Sequence, residues 1–413
     1  MRAKARALGG PLVTPTTITL FSLCALMTVL VLVRLIFGLA AVSNLNNGYP
    51  YGIWLAYNLS AGTAVACGGY ALALVTYALN HGQYSPILRP AILSSMFGYS
   101  LGGFSVLIDI SRWWNFWHIL WPTYYNLTSV KFELALCIFA YTTVLIIEVA
   151  PALLERAVEW TRKHGMNAHG LTLKIEKVLN RVLIVFVALG MTLPTMHQSS
   201  LGTLLVPFGA TMSPLWNTPL LPFLFLMTAL CIGYAMVVFE STLVSHRFSR
   251  PSQAGILTKL TKFMAVTITI FLVARVADLI VRGKFHLIFT SGMLGLLFAI
   301  ECLLFAVALY VISSAANRMS PRRQFIAALF VVSGGILYRM DSYLISYHRP
   351  GWSYFPSVPE LLITYGMIAL QILGFLLVIK LFPILHHPSD RGRQRNHPSH
   401  SSDCPPSEFP GTE

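Results

Sequence analysis

Ten apolar runs, each long enough to cross a bilayer as a helix, take up most of this chain. A spanning helix needs roughly 20 apolar residues. Lipid offers no partners for unpaired main-chain groups, so such runs must be helical. They cover about Thr17 to Ala40, Gly52 to Leu79, Leu88 to Ser111, Ser129 to Ala150 and Lys174 to His197, then Pro219 to Ser245, Leu257 to Val281, His286 to Ser313, Gln324 to Tyr347 and Glu360 to Phe382. Only 11% of the 413 residues are charged, against about a quarter in soluble domains. The fold class is all-α integral membrane, with about ten transmembrane helices.

The first run follows Arg2, Lys4 and Arg6, as a signal peptide core would. It is longer than the usual core of about 7–15 residues, so it reads as a retained first helix. Residues 1–16 form a basic arm, 17–385 the membrane domain, and 386–413, rich in Pro, Ser, His and Arg, a disordered tail. The arm, the loops carrying Arg89, Arg156 to Lys177, Arg247 to Lys262 and Arg318 to Arg323, and the tail with Arg391, Arg393 and Arg395 all fall on one side. Lys and Arg mark cytoplasmic loops, so both termini are expected in the cytoplasm. That placement accounts for the net charge of +14 without nucleic acid. The opposite loops are nearly free of Lys and Arg, and Trp113 to Trp121 is densely aromatic. It reads either as a belt at the headgroups or as a docking face for an extracytoplasmic partner.

A weak internal repeat runs through the chain. Cys67-Gly68-Gly69-Tyr70 resembles Cys231-Ile232-Gly233-Tyr234, Asp109 corresponds to Asp278, and Glu133 to Glu301. The copies are separated by an even number of helices, so they share one orientation and form a parallel repeat. Helices 2–5 and 6–9 are then two related four-helix bundles, with helices 1 and 10 outside.

Ionisable groups inside a bilayer are costly and mark candidate sites. Asp109 and Arg112 are three apart and predicted to share a helix face. Glu133 lies one turn into its helix from the same side. Arg275 and Asp278 are predicted to form a neutralised pair. Glu301 lies near mid-helix and is protonated, paired or facing a hydrated cavity. Glu148 and Glu240 lie near the inner ends of their helices, and Arg34, Arg339 and Asp341 complete the set. Pro194 is predicted to break its helix just before His197, making that histidine a helix-end residue able to move a proton.

No cysteine pair has metal-site spacing, so no iron–sulfur cluster or other metal site is expected in this chain. No histidine pair at matching depth is present to hold a bis-imidazole haem. Nucleotide-binding, zinc-protease and serine-hydrolase motifs are absent from the sequence.

Asn46-Asn47-Gly48-Tyr49-Pro50-Tyr51-Gly52-Ile53-Trp54, Cys67-Gly68-Gly69, Phe97 to Gly103 and Leu193 to Ser200 resemble the NrfD/polysulfide reductase membrane subunit family, and within it the HybB branch found in periplasm-facing [NiFe] hydrogenases. The resemblance covers about Leu8 to Leu385. It implies a bacterial inner-membrane subunit that binds quinone (menaquinone or ubiquinone), carries no haem, and exchanges electrons with a periplasmic ferredoxin-like iron–sulfur subunit and its catalytic partners. By position it implies quinone-contacting or catalytic roles for Tyr99, Asp109, Arg112, Glu133 and His197. Tyr57 and Asn58 stand where relatives place quinone contacts, but the residue types differ. Glu133, Glu148, Glu240, Asp278 and Glu301 are the candidates for a proton pathway. The expected function is a quinone-reactive membrane anchor of a respiratory complex. Rival readings are a secondary transporter or ion-conducting protein, which would need no redox ligand, and a passive anchor.

Overall fold

The computed structural model describes residues 5–78, 85–163, 169–209, 211–248 and 253–386. Residues 387–413 of the expected tail, with Cys404, and Arg2, Lys4 and Arg250 lie outside the described residues. Ten long helical segments follow one another: α1 (Pro15–Phe37), α2 (Trp54–Tyr77), α3 (Ser85–Asp109), α4 (Val130–Lys163), α5 (His169–Thr203), α6 (Leu221–Arg247), α7 (Ala254–Val281), α8 (Met293–Val311), α9 (Pro321–Ile345) and α10 (Val358–Leu381). Nine helices among the described residues are long and apolar enough to cross a membrane. The remaining segment, α5, packs between α4 and α6.

Local sequence explains the helix ends. Thr14 and Thr17 cap the start of α1 reciprocally, and Ser357 and Glu360 do the same for α10. Gly292, with φ of 57°, stops the chain from entering α8 at His286, so that helix starts later than the apolar run suggested. The expected break at Pro194 does not occur, and α5 continues to Thr203. Proline in a membrane helix is tolerated where the surrounding helices hold the segment in place, and α5 packs against α4 on one side and α6 on the other. His197 therefore sits inside the helix and not at its end. Three stretches depart from α geometry: α2 opens and closes with π-helical turns (Trp54–Ala61 and Leu74–Ala78), and α9 closes with them (Asp341–Ile345).

The helices α2–α5 pack as one bundle and α6–α9 as a second, while α1 and α10 pair with each other against α3. The two repeat motifs meet where the bundles join. A Cβ on Gly233 would stand 2.7 Å from the Cys67 carbonyl oxygen, so only glycine lets α6 approach α2 this closely. The end of the fold where α1 begins and α10 finishes is called the basic end here, and the one carrying Trp113–Leu120 the aromatic end. At the basic end Ala5–Arg6 pairs antiparallel with Leu385–His386, which ties the arm to the exit of α10. At the aromatic end the Asn44 to Trp54 segment folds onto the chain before α10. Glu360 accepts from Asn44 N (3.0 Å), Ser357 N (2.8 Å) and the Tyr354 hydroxyl (2.6 Å). Burial, then this hydrogen bond, raises the Tyr354 hydroxyl above its usual range.

Candidate functional site within the membrane

The faces of α2, α3 and α5 that meet inside the first bundle carry polar side chains. Gln198 Nε2 donates to Tyr99 Oη at 3.2 Å and to Thr63 Oγ1 at 3.1 Å. Cys67 Sγ lies 3.5 Å from the same Tyr99 oxygen. The His197 ring stands 5.5 Å from the Tyr99 ring, and Tyr141 of α4 meets Tyr99 edge-on at 4.5 Å. Tyr99, His197 and Gln198 are all fully buried. Neither His197 ring nitrogen is in hydrogen-bonding geometry with a described partner, though the Leu134 main chain lies alongside. Gln198 Oε1 and Ser60 Oγ are likewise unsatisfied. Orphaned polar atoms are rare in protein interiors, and several in one place call for a ligand or water.

From the second bundle, Arg339 of α9 closes this cluster. Its guanidinium donates to the carbonyls of Ser60 (3.2 Å) and Phe225 (2.7 Å) and to Thr228 Oγ1 (3.2 Å). It also stacks 4.3 Å over the Phe225 ring. Its charge reaches Tyr99, Cys67 and His197.

Three carboxylates border the cluster. Glu133, in the first turn of α4 at the aromatic end, accepts from Ser200 at 2.6 Å, one helical turn from His197. Glu240 accepts from Ser94 near the basic end, and Ser95 beside it holds the Gly69 amide at 3.0 Å. Glu148 lies two turns along α4 from Tyr141, against Gly190 of α5.

Asp278 and Glu301 belong to a separate polar centre in the second bundle. The expected Arg275–Asp278 pair is not formed. Arg275 instead lies 3.5 Å from Glu301, both fully buried, with Trp216 Nε1 donating to Glu301 at 3.0 Å. The Arg275 guanidinium is boxed by Phe298 (4.7 Å) and Tyr338 (5.3 Å). Asp278 pairs with Arg282 at 2.6 Å and accepts from Thr218 at 2.7 Å. The three-residue spacing put Asp278 beside Arg275 on one helix. The fold turns Arg275 towards α8 and leaves Asp278 to Arg282, one turn on. Asp341, buried with both oxygens unpartnered, lies within electrostatic reach of Arg275 and Glu301.

The expected pocket of Asp109, Arg112 and Glu133 is not assembled either. The helix α3 ends at Asp109, so Arg112 leaves the shared face and is exposed. The cation beside Asp109 is Arg34 of α1, which donates to the carbonyls of Ile108 and of Ile110 (2.7 Å). Asn58 turns to α10, with Nδ2 3.0 Å from Met367 Sδ, and Tyr57 packs in the cluster containing Met367 and Ile108. The structure thus brings Tyr99 and His197 together, ties Glu133 to Ser200 one turn along α5 from His197, and separates Tyr57, Asn58, Asp109 and Arg112 from them. Gln198, Thr63 and Arg339 had no role assigned from sequence. The signal for Arg339 was its charge within an apolar run; Gln198 lay inside the motif that held His197.

A buried, partly unsatisfied polar cluster inside the first bundle, closed by Arg339 from the second, defines a class: a multi-pass membrane protein whose site lies between its helices. Residues 41–345 match the family described as Polysulphide reductase, NrfD, and the chain belongs to that family. It is 39% identical over 382 residues, 92% of this chain and 94% of the relative, to the "Probable Ni/Fe-hydrogenase 2 b-type cytochrome subunit" of Escherichia coli (strain K12). It is 25% identical over 246 residues to the "Menaquinone reductase, integral membrane subunit" of Nitratidesulfovibrio vulgaris, covering 57% of this chain and 55% of that one. It is 23% identical over 426 residues to a selenate reductase subunit of Mesobacillus selenatarsenatis, covering 89% and 94% respectively.

The name of the first relative raises the question of haem. A b-type haem held by two axial histidines needs facing imidazoles. Among the described residues His197 is the buried histidine, and the rings beside it are tyrosines. The residues present do not fit such a haem.

Proposed function

We propose that this chain is the quinone-reactive membrane subunit of a respiratory oxidoreductase complex, of the [NiFe] hydrogenase type. The observation that carries this reading is the set of orphaned polar atoms at His197, Gln198 and Ser60 around the Tyr99 hydroxyl. A quinone ring is flat and apolar, with two carbonyl oxygens that accept hydrogen bonds and take up protons on reduction. The Tyr99 hydroxyl accepts from Gln198 and keeps its own proton to donate to a carbonyl, and His197 supplies a group that can pass a proton to one. The relatives named as subunits of hydrogenase, menaquinone reductase and selenate reductase support the same reading.

In this reading the aromatic end faces the periplasm and meets a ferredoxin-like iron–sulfur subunit, and both termini lie in the cytoplasm of the inner membrane. Electrons pass between that subunit and the quinone. Glu133 with Ser200 serves as the proton group at the aromatic end. Glu240 with Ser94, and Glu148 below Tyr141, lead towards the basic end. The Arg275–Glu301 centre with Asp278 nearby is a second, separate polar region of the path.

A photoreactive quinone tests the assignment. Illumination of the purified complex should attach the label to peptides containing Tyr99 or His197, and excess unlabelled quinone should suppress it. Labelling confined to the Tyr57–Asn58 face of α2 and to α10 would contradict this site.

A further inference from the structure

Arg34, Arg275, Arg282 and Arg339 differ in how their charge is met. Arg275 lies against Glu301 and Arg282 against Asp278, while Arg34 lies beside Asp109. Arg339 has no ion pair among the described residues. Every acceptor it reaches is neutral: two main-chain carbonyls and the Thr228 hydroxyl. Its Nε atom is unsatisfied, and the residue is fully buried. Asp341, two residues on, lies in reach of the Arg275–Glu301 centre.

A full positive charge without a counter-charge is costly in a buried site. Its neutral acceptors fix the guanidinium rigidly, since two are main-chain atoms on α2 and α6. Its charge falls on Tyr99, Cys67 and His197, where the other orphaned atoms are. The site is therefore electropositive without any titration being needed, because arginine keeps its proton.

Resting on the quinone reading above, we propose that Arg339 is the residue that makes this site select ligands bearing an anionic ring oxygen over their neutral counterparts. A ring oxygen gains negative charge as a quinone is reduced, so the same fixed charge acts where charge develops. Arg339 acts through the field across the cluster and is a positioning and selectivity residue.

The test uses two probes that differ in one charge. A 2-hydroxy-1,4-naphthoquinone is ionised at neutral pH, and its O-methyl ether is not. Binding of each to the purified, assembled complex is measured directly by calorimetry, without turnover. The wild type should favour the ionised probe. Arg339→Gln should weaken the ionised probe tenfold or more and leave the ether within about threefold. Arg339→Lys, which keeps the charge, should retain most of the preference. An undiminished preference in Arg339→Gln overturns the proposal, and so does parallel loss of both probes in the Gln and Lys variants, which would mark a purely structural arginine. If neither probe binds the wild type, the quinone site itself is what fails, and the selectivity of Arg339 falls with it.

Discussion

Gln198 Nε2 bridges two helices, reaching Tyr99 Oη on α3 at 3.2 Å and Thr63 Oγ1 on α2 at 3.1 Å, while its own Oε1 is left without a partner. An amide so held presents a fixed polar edge to whatever occupies the cluster. Gln198→Leu removes the donor and keeps the volume close. Quinone-dependent turnover is expected to fall about ten- to hundredfold, the range of a positioned polar group. Thermal stability should change by less than about 2 kcal/mol. Turnover assays beside a melting curve of the complex check both.

The Arg275–Glu301 pair is buried on both sides. Removing one partner strands a charge, costing about 3–5 kcal/mol, whereas replacing both with apolar residues is close to neutral. Arg275→Met is therefore expected to lower the unfolding midpoint sharply in detergent. The double variant Arg275→Met/Glu301→Leu should recover most of the loss. Additive losses in the double variant would show that the pair is not coupled.

Gly233 sets the distance between the two bundles. With the Cys67 carbonyl oxygen 2.7 Å from where a Cβ would lie, Gly233→Ala should cost about 1–3 kcal/mol by overpacking, and Gly233→Val more. Because Cys67 also touches Tyr99, the same substitutions should weaken quinone binding. Melting curves and quinone titrations of the two variants measure these effects.

Sequence alone carried the helical architecture, because a bilayer demands long apolar runs and each is visible by length. The Cys67 to Tyr70 and Cys231 to Tyr234 segments that sequence paired also come together where the bundles join. What sequence spacing could not carry was the choice among neighbours. Arg275 and Asp278 share a helix, yet the partner of Arg275 comes from α8. Asp109 and Arg112 are three apart, yet the helix ends between them and Arg34 arrives from α1. Pro194 read as a break because the packing of α5 against α4 and α6, which carries the helix through it, is not visible in the local sequence. Arg339 and Gln198 escaped assignment because their partners lie on other helices, and no periodicity within one helix reports that.

Glu360 gathers three donors at the aromatic end. Glu360→Ala should loosen the Asn44 to Trp54 segment without touching the Tyr99 cluster. Faster amide exchange in that segment, with quinone binding within about threefold of wild type, is the expected result. Loss of quinone binding would tie this knot to the site.

Quinone chemistry in this protein is centred on His197, in the reading proposed above, with Glu133 supplying protons nearby. Quinone-dependent turnover of the intact complex, compared among wild type, His197→Ala and Glu133→Gln, tests this most directly, with dye-linked activity and co-purification of the iron–sulfur partner as controls. Both variants are expected to lose quinone turnover by tenfold or more while dye activity and assembly persist. Unchanged quinone turnover in both variants would contradict that assignment and leave the chain a passive anchor.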